Sequence, residues 1–381
     1  MEPTEFIEPA ESVEQSREVL GARAAGGGCA GLIAEAEPQG LGATYWFDAA
    51  PSAAPYSVTI RFTGTRIGTE GKPGSGDRFE QVERVSGITE GMGRIAVTAR
   101  VQQGINAGTW RVTATPAVQV GEGTPASDSA PRPASLPRTV TTTTTRLFPL
   151  VHGPGARPFV WPSLVGLGVA VAIAVQAALL ARTNVNVVAA ILISLAACVM
   201  GYLAAKFYYL ALHRKHPRHF VTAGTCIQGF LVGAVGTLGI AAAVFQLPVG
   251  TFLDATTPGL FFGMAVGRPG CFFGGCCAGR PTDARWGLWS SDRRLGIRRH
   301  PVQLVEAAVA LVLGAGALAL TLTVEVPVGG TVFIGAVAAY TFIRQLLFPL
   351  RAESRTPRGR ALTMAICAVV VAAALAVSVA A

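Results

Sequence analysis

The chain has 381 residues, of which 51% are hydrophobic and only 14% charged, and its formal net charge is +9. That balance excludes an ordinary soluble globular protein and a disordered one. It also argues against a nucleic-acid partner, because the basic residues flank long apolar segments instead of studding an aromatic-rich soluble surface.

The acidic, polar start, residues 1–40, predicts a flexible segment with a short helix over 11–20 and no signal peptide. Cys29 follows three glycines with no apolar run before it, and reads as an unmodified loop cysteine. From residue 41 to 120 the pattern turns to period two, as in Tyr56–Phe62, Arg94–Val101 and Thr109–Thr115, with Gly/Pro/Asn clusters between. Short alternating strands at that spacing predict a small all-β, immunoglobulin-like sandwich. No titratable cluster marks it as catalytic, so it is expected to serve structure or binding, with no ligand specified. Residues 121–157, rich in Pro and Ser and ending in a threonine run, predict a linker that cannot bury a core.

Residues 158–381 carry seven apolar segments, near 159–181, 185–212, 220–246, 249–267, 301–323, 329–350 and 361–380. Such lengths span roughly 30 Å of hydrocarbon as helix. The expected architecture is a polytopic α-helical membrane domain of about seven spans behind the β-rich module. The fourth segment is short and interrupted by Pro258 and Gly259, which predicts a tilted or partly re-entrant helix. Arginine and lysine crowd alternate loops, after the second, fourth and sixth segments. Either they orient the chain by the positive-inside rule, or they bind anions such as lipid headgroups. Cys198, Cys226 and Cys367 fall in apolar segments as small packing residues.

The stretch from Gly267 to Glu306 has no role in spanning a membrane. Ionisable groups at the edge of hydrocarbon are costly and usually mark a site. Gly267, Gly270, Gly274, Gly275 and Gly279 surround Arg268 and Arg280. Glycine lets a ligand approach the backbone, and a fixed guanidinium matches a phosphate in two-pronged geometry; the alternative is an arginine snorkelling to headgroups. Arg299-His300-Pro301 leads into the fifth segment, where Gln303 and Glu306 share a helical face. Glu306 reads as a carboxylate that pairs with an arginine and holds the loop, or as a general base. Tyr340 and Arg344 share a face of the sixth segment, and Glu306 or Asp254 is the acid available to that arginine. Cys271, Cys276 and Cys277 follow no standard zinc spacing, so close packing of a turn is expected and no metal.

Together these residues resemble the bacterial prolipoprotein diacylglyceryl transferase family. Its Gly-Arg-x-Gly-Asn-Phe motif reads here Gly267-Arg268-Pro269-Gly270-Cys271-Phe272. Its Gly-Arg-Pro-Thr-Asp motif is Gly279 to Asp283, followed by Trp286-Gly287. Its Arg-His-Pro-x-Gln-Leu-x-Glu run is Arg299 to Glu306, and its late Tyr-x-x-x-Arg is Tyr340 and Arg344. The resemblance implies transfer of a diacylglyceryl group from phosphatidylglycerol to a prolipoprotein lipobox cysteine, in the bacterial plasma membrane and without cofactor. It implies Arg268, Arg344 and His300 as catalytic residues. Gly267, Gly270, Arg280, Arg299, Gln303, Glu306, Tyr340 and Gln228 would bind substrate. Gln228 stands where the family has a histidine, and Cys271, Gly274, Cys276 and Phe348 replace polar or acidic motif positions. Two other readings therefore stand beside the first: a lapsed relative that binds anionic lipid or lipoprotein partners, and a transferase with another acceptor.

Overall fold

The computed structural model describes residues 39–52, 54–68, 72–102, 104–120, 135–214, 216–217, 220, 226–324, 327–353 and 356–379. The expected 11–20 helix, Cys29 and the Pro/Ser part of the linker at 121–134 lie outside them.

The β region begins with β1 (Gln39–Asp48), β2 (Tyr56–Arg66), β3 (Arg78–Ile88), β4 (Arg94–Val101) and β5 (Thr109–Val120). Alternation sets its core: Tyr56, Val58, Ile60 and Phe62 of β2 are buried, and they meet Trp110 and Val112 of β5 and Tyr45 and Phe47 of β1. The threonine run expected to be linker is instead β6 (Thr139–Thr144), paired antiparallel with β5 from Ala114↔Thr139 to Thr109↔Thr144. Threonine is β-branched and favours strands, and an edge strand needs backbone partners more than apolar side chains. A two-residue strand, β7 (Arg146–Leu147), closes onto β1.

Two sheets result, ordered β3-β2-β5-β6 and β7-β1-β4-β9-β8. The last two strands come from the arginine-rich stretch nearly two hundred residues later: β8 (Leu288–Ser291) and β9 (Leu295–Arg299) form a hairpin. β9 pairs with β4 at Ala96↔Gly296 and Val97↔Leu295. Trp289 stacks on Trp46 with centroids 5.9 Å apart, and its Nε1 donates to Arg94 O at 2.8 Å. Thr89 Oγ1 donates to Asp283 Oδ2 at 3.2 Å and Arg298 Nη1 to Gly91 O at 3.3 Å. The β region and the signature stretch therefore share one sheet. Gly296 is required there, because a Cβ would lie 2.5 Å from Trp289 Cζ2 and 3.2 Å from Ala96 Cβ. We expect Gly296→Val to break the β4–β9 pairing at a cost of roughly 1–3 kcal/mol. Limited trypsinolysis should then cut at Arg293, Arg294 or Arg298 well before it cuts the wild type; equal rates would contradict the pairing.

Among the described residues seven helices follow: α1 (Val160–Leu180), α2 (Val187–Leu212), α3 (Ile227–Phe245), α4 (Val249–Gly274), α5 (Val302–Thr323), α6 (Thr331–Leu347) and α7 (Pro357–Val379). Five of them, α1, α2, α5, α6 and α7, are long and apolar enough to cross a membrane. The expected break in the fourth segment is absent: α4 runs 26 residues through Pro258 and Pro269. Neighbouring helices and hydroxyls compensate a proline in such a setting; Pro258 is buried, and Thr256 and Thr257 bond back to Phe252 O and Leu253 O.

The consequence is that the Gly-Arg-Pro-Gly-Cys-Phe motif lies on the last two turns of a helix. Of its two glycines, Gly270 serves helix contact, a Cβ there lying 3.2 Å from Trp161 Cα, whereas one on Gly267 would meet only Val165 Cγ2 at 3.9 Å; earlier on α4, a Cβ on Gly263 would sit 2.6 Å from Gly168 O of α1. Small residues bring the backbones of α1 and α4 together. At the opposite end of α4, Asp254 accepts from Gly330 N at 2.7 Å and Phe333 N at 3.0 Å, and so caps α6. Asp254 is thus engaged far from the signature stretch, and Glu306 is left to answer the arginines.

Candidate active site

Glu306 projects from the second turn of α5 and is 1% exposed. Three arginines from three segments converge on it. Arg268, on the penultimate turn of α4, places Nη1 3.2 Å from Oε2. Arg351, just past the end of α6, places Nη1 2.7 Å from Oε1 and is itself 1% exposed. Arg344, near the end of α6, places Nε 3.8 Å from Oε1. Arg268 Nη2 also donates to Tyr340 Oη at 3.1 Å, and the buried Tyr340 ring leans on Phe261 with centroids 5.8 Å apart. Tyr340 and Arg344 thus come to one locus from successive turns of α6.

The charge does not balance. One carboxylate faces three guanidiniums, and the further acid in reach, Glu353, sits 3.4 Å from Arg351 Nη2 but is 63% exposed. Uncompensated charge at the edge of hydrocarbon is expensive unless an anion answers it. Glu306 Oε2 meets Arg268 at ion-pair distance without hydrogen-bond direction, and Arg351 Nε has no hydrogen-bond partner among the described residues. Donor capacity therefore remains for a ligand.

The other expected site residues are placed around this cluster. Arg280 is exposed and donates Nε to Arg351 O at 2.9 Å, while its backbone N donates to Leu350 O at 2.8 Å. It pins the loop to the segment that carries Arg351. Gln303 Nε2 donates to Cys276 O at 3.0 Å. Arg299, 3% exposed, is consumed in the hairpin by Asp292 Oδ2 at 2.6 Å, Leu295 O at 3.2 Å and Gly279 O at 3.1 Å. His300 lies against Trp286, ring centroids 4.4 Å apart, with a buried Nδ1 that has no hydrogen-bond partner among the described residues. Burial pushes its pKa below the ordinary histidine value, so the ring is neutral at pH 7. No hydrogen bond or ion pair among the described residues joins His300 to the Glu306 cluster. Gly267 precedes Arg268 on α4, and Gly270 packs on Trp161. Gln228 opens α3, and its side chain lies outside the described positions. Arg351 is the residue the sequence reading passed over; its signal was a second arginine seven positions after Arg344.

Beside the arginines, the Sγ atoms of Cys271, Cys276 and Cys277 all lie within 4.8 Å of one another. Gly275 (φ 67°) and Cys277 (φ 53°) both adopt left-handed backbone, which folds the turn back on the end of α4. Hydrogen bonds from the Cys271 and Cys276 thiols, then the charges of Arg351 and Arg268, hold the Cys277 pKa well below the usual thiol value.

The family description for prolipoprotein diacylglyceryl transferase matches residues 160–380. Among curated relatives, the phosphatidylglycerol–prolipoprotein diacylglyceryl transferase of Nostoc sp. is 31% identical over 109 residues, 27% of this chain and 37% of that protein. The one from Chloroflexus aggregans is 34% identical over 97 residues, 24% and 32% of the two chains. The one from Bordetella parapertussis is 32% identical over 110 residues, 28% and 41%. The chain thus spans about a third of the length of the curated relatives it matches,. With the family match covering more than half of its residues, and with Arg268, Glu306, Tyr340 and Arg344 gathered in one place, the chain belongs to the prolipoprotein diacylglyceryl transferase family.

Proposed function

We propose that the chain moves a diacylglyceryl group from phosphatidylglycerol to the cysteine thiol of a prolipoprotein. The surplus of positive charge around the buried Glu306 carries this reading. A phosphodiester headgroup supplies the anion that Arg268, Arg344 and Arg351 lack, and guanidinium matches its oxygens well. In the reaction the acceptor sulfur bonds to the terminal glyceryl carbon, and the bond from that carbon to the phosphate oxygen breaks. Glycerol phosphate leaves with the electron pair, and the thiol proton passes to solvent. Charge grows on the leaving phosphate, and fixed guanidiniums favour that change. Tyr340 orients Arg268, and Gln303 and Arg280 hold the loop around the site.

The setting we propose is the bacterial plasma membrane, with the signature stretch and the β region on its outer face. Arg280, Arg299 and Arg351 are engaged within the protein, so the arginine bias of these loops is not free to report orientation. In intact cells a membrane-impermeant maleimide should label Lys72→Cys and Arg285→Cys alike. Labelling only after lysis would place both inside.

The direct test uses the purified full-length protein in detergent with phosphatidylglycerol and a lipobox cysteine peptide, followed by mass spectrometry. The expected result is a peptide heavier by one diacylglyceryl group. Gln228 favours the second reading, a lapsed relative that binds anionic lipid, because glutamine cannot accept the thiol proton as histidine can. Tight phosphatidylglycerol binding with no mass gain, beside an active relative, would establish that reading in place of the first.

A further inference from the structure

We propose that Cys271, Cys276 and Cys277 form a three-thiolate zinc site with an open fourth position. Their sequence spacing points only to packing, but the fold brings the three sulfurs to one point, each within 4.8 Å of the others. Sulfurs bound tetrahedrally at about 2.3 Å from zinc stand roughly 3.8 Å apart. The cluster needs a contraction of about 1 Å at most to reach that arrangement.

The turn is built for convergence. Cys271 lies on the last turn of α4, Cys276 N donates back to Cys271 O at 3.0 Å, and Gln303 holds Cys276 O from α5. Cys277 takes a left-handed backbone that residues other than glycine rarely adopt. Packing alone gives no reason to place three thiols at the end of such a turn. Two of the guanidiniums around Glu306, Arg351 and Arg268, act on this turn and would offset the negative charge of three thiolates on one zinc ion. No histidine or carboxylate joins the group among the described residues. An all-sulfur donor set selects a thiophilic ion and disfavours magnesium or calcium.

Three protein ligands leave zinc one position for an outside group. A thiol bound there loses its proton outright. Resting on the transfer proposed above, that position would hold the acceptor cysteine as thiolate beside the phosphate clamp and do the work that Gln228 cannot. The thiol proton goes to water on binding, the sulfur–carbon bond then forms as the carbon–oxygen bond breaks, and the zinc undergoes no redox change.

The test starts with wild-type protein purified without chelator. Elemental analysis should find about one zinc per chain, and exchange with Co2+ should give near-ultraviolet thiolate-to-cobalt absorption. Cys276→Ser should weaken zinc binding at least about 10–100-fold, and Cys198→Ser should not. The wild-type cobalt spectrum decides the matter even if Cys276→Ser fails to fold. A metal-free protein with no cobalt absorption, or with a disulfide between two of the three cysteines, overturns the site. Zinc bound without peptide modification leaves the site standing and removes the transfer reading. Transfer that survives complete zinc removal keeps the transfer reading and removes the acceptor role of the metal.

Discussion

Arg268→Ala is expected to slow the proposed diacylglyceryl transfer by about 10²–10³-fold and to leave the helices in place. Arg268 reaches Glu306 with one nitrogen and Tyr340 with the other, 3.2 and 3.1 Å away, and retains 15% exposure through which a headgroup can touch it. Removing one fixed charged donor from developing phosphate charge costs about 2.7–4 kcal/mol, or roughly 10²–10³ in rate. The fold is spared because Glu306 keeps Arg351 at 2.7 Å and Arg344 at 3.8 Å, so no carboxylate is stranded. Arg268→Lys keeps the charge without the two-pronged fork and should fall between the two. Initial rates of peptide modification, with far-ultraviolet circular dichroism as the control for folding, make the measurement. A rate within tenfold of wild type would remove Arg268 from the phosphate site.

Glu306→Ala has the opposite signature, a loss of stability ahead of any loss of rate. It strips three guanidiniums of their shared carboxylate and leaves Arg351, 1% exposed, with only the solvent-facing Glu353. Breaking a buried charge pair on one side typically costs 3–5 kcal/mol. Glu306→Gln keeps the volume and isolates the charge. Because an anion can stand in for the missing carboxylate, phosphatidylglycerol should raise the thermal midpoint of Glu306→Gln more than that of wild type, by mass action. An equal shift in both proteins would mean that the lipid phosphate does not share a locus with Glu306.

The helices were legible because spanning hydrocarbon is a demand on length that a run of apolar residues cannot hide. Segments read at 159–181 and 301–323 return as α1 at Val160–Leu180 and α5 at Val302–Thr323. The strands with an alternating buried face, β2 and β5, were legible for the same kind of reason, and β4 alternates in sequence although Ile95 to Ala99 are all buried. β8 and β9 were not: four and five residues, rich in arginine, whose partner β4 lies far back in the chain. Pairing partners are a tertiary fact that no local pattern encodes. In the site, Arg268, Glu306 and Arg344 were readable as costly charges in apolar surroundings, and Tyr340 by its place one turn before Arg344. Arg351 was hidden because it follows Pro349 at the edge of a basic loop, where an arginine is unremarked. The glycines of the motif suggested room for a ligand, whereas Gly270 and Gly274 make room for Trp161. Absence of a side chain does not say which neighbour uses the space.

The shared sheet also sets a schedule for synthesis. β4 leaves the ribosome with β1 on one side and nothing on the other, because β9 lies nearly two hundred residues downstream. At about 5–20 residues per second that edge stays open for roughly 10–40 s. During the wait α1 to α4 are made, and of these α1 and α2 are long and apolar enough to need laying into the bilayer. An unpaired strand edge is a template for wrong partners, so the nascent chain has to be shielded until the hairpin arrives. The last step of the β region's folding is thereby tied to the membrane insertion of the helices that precede β9.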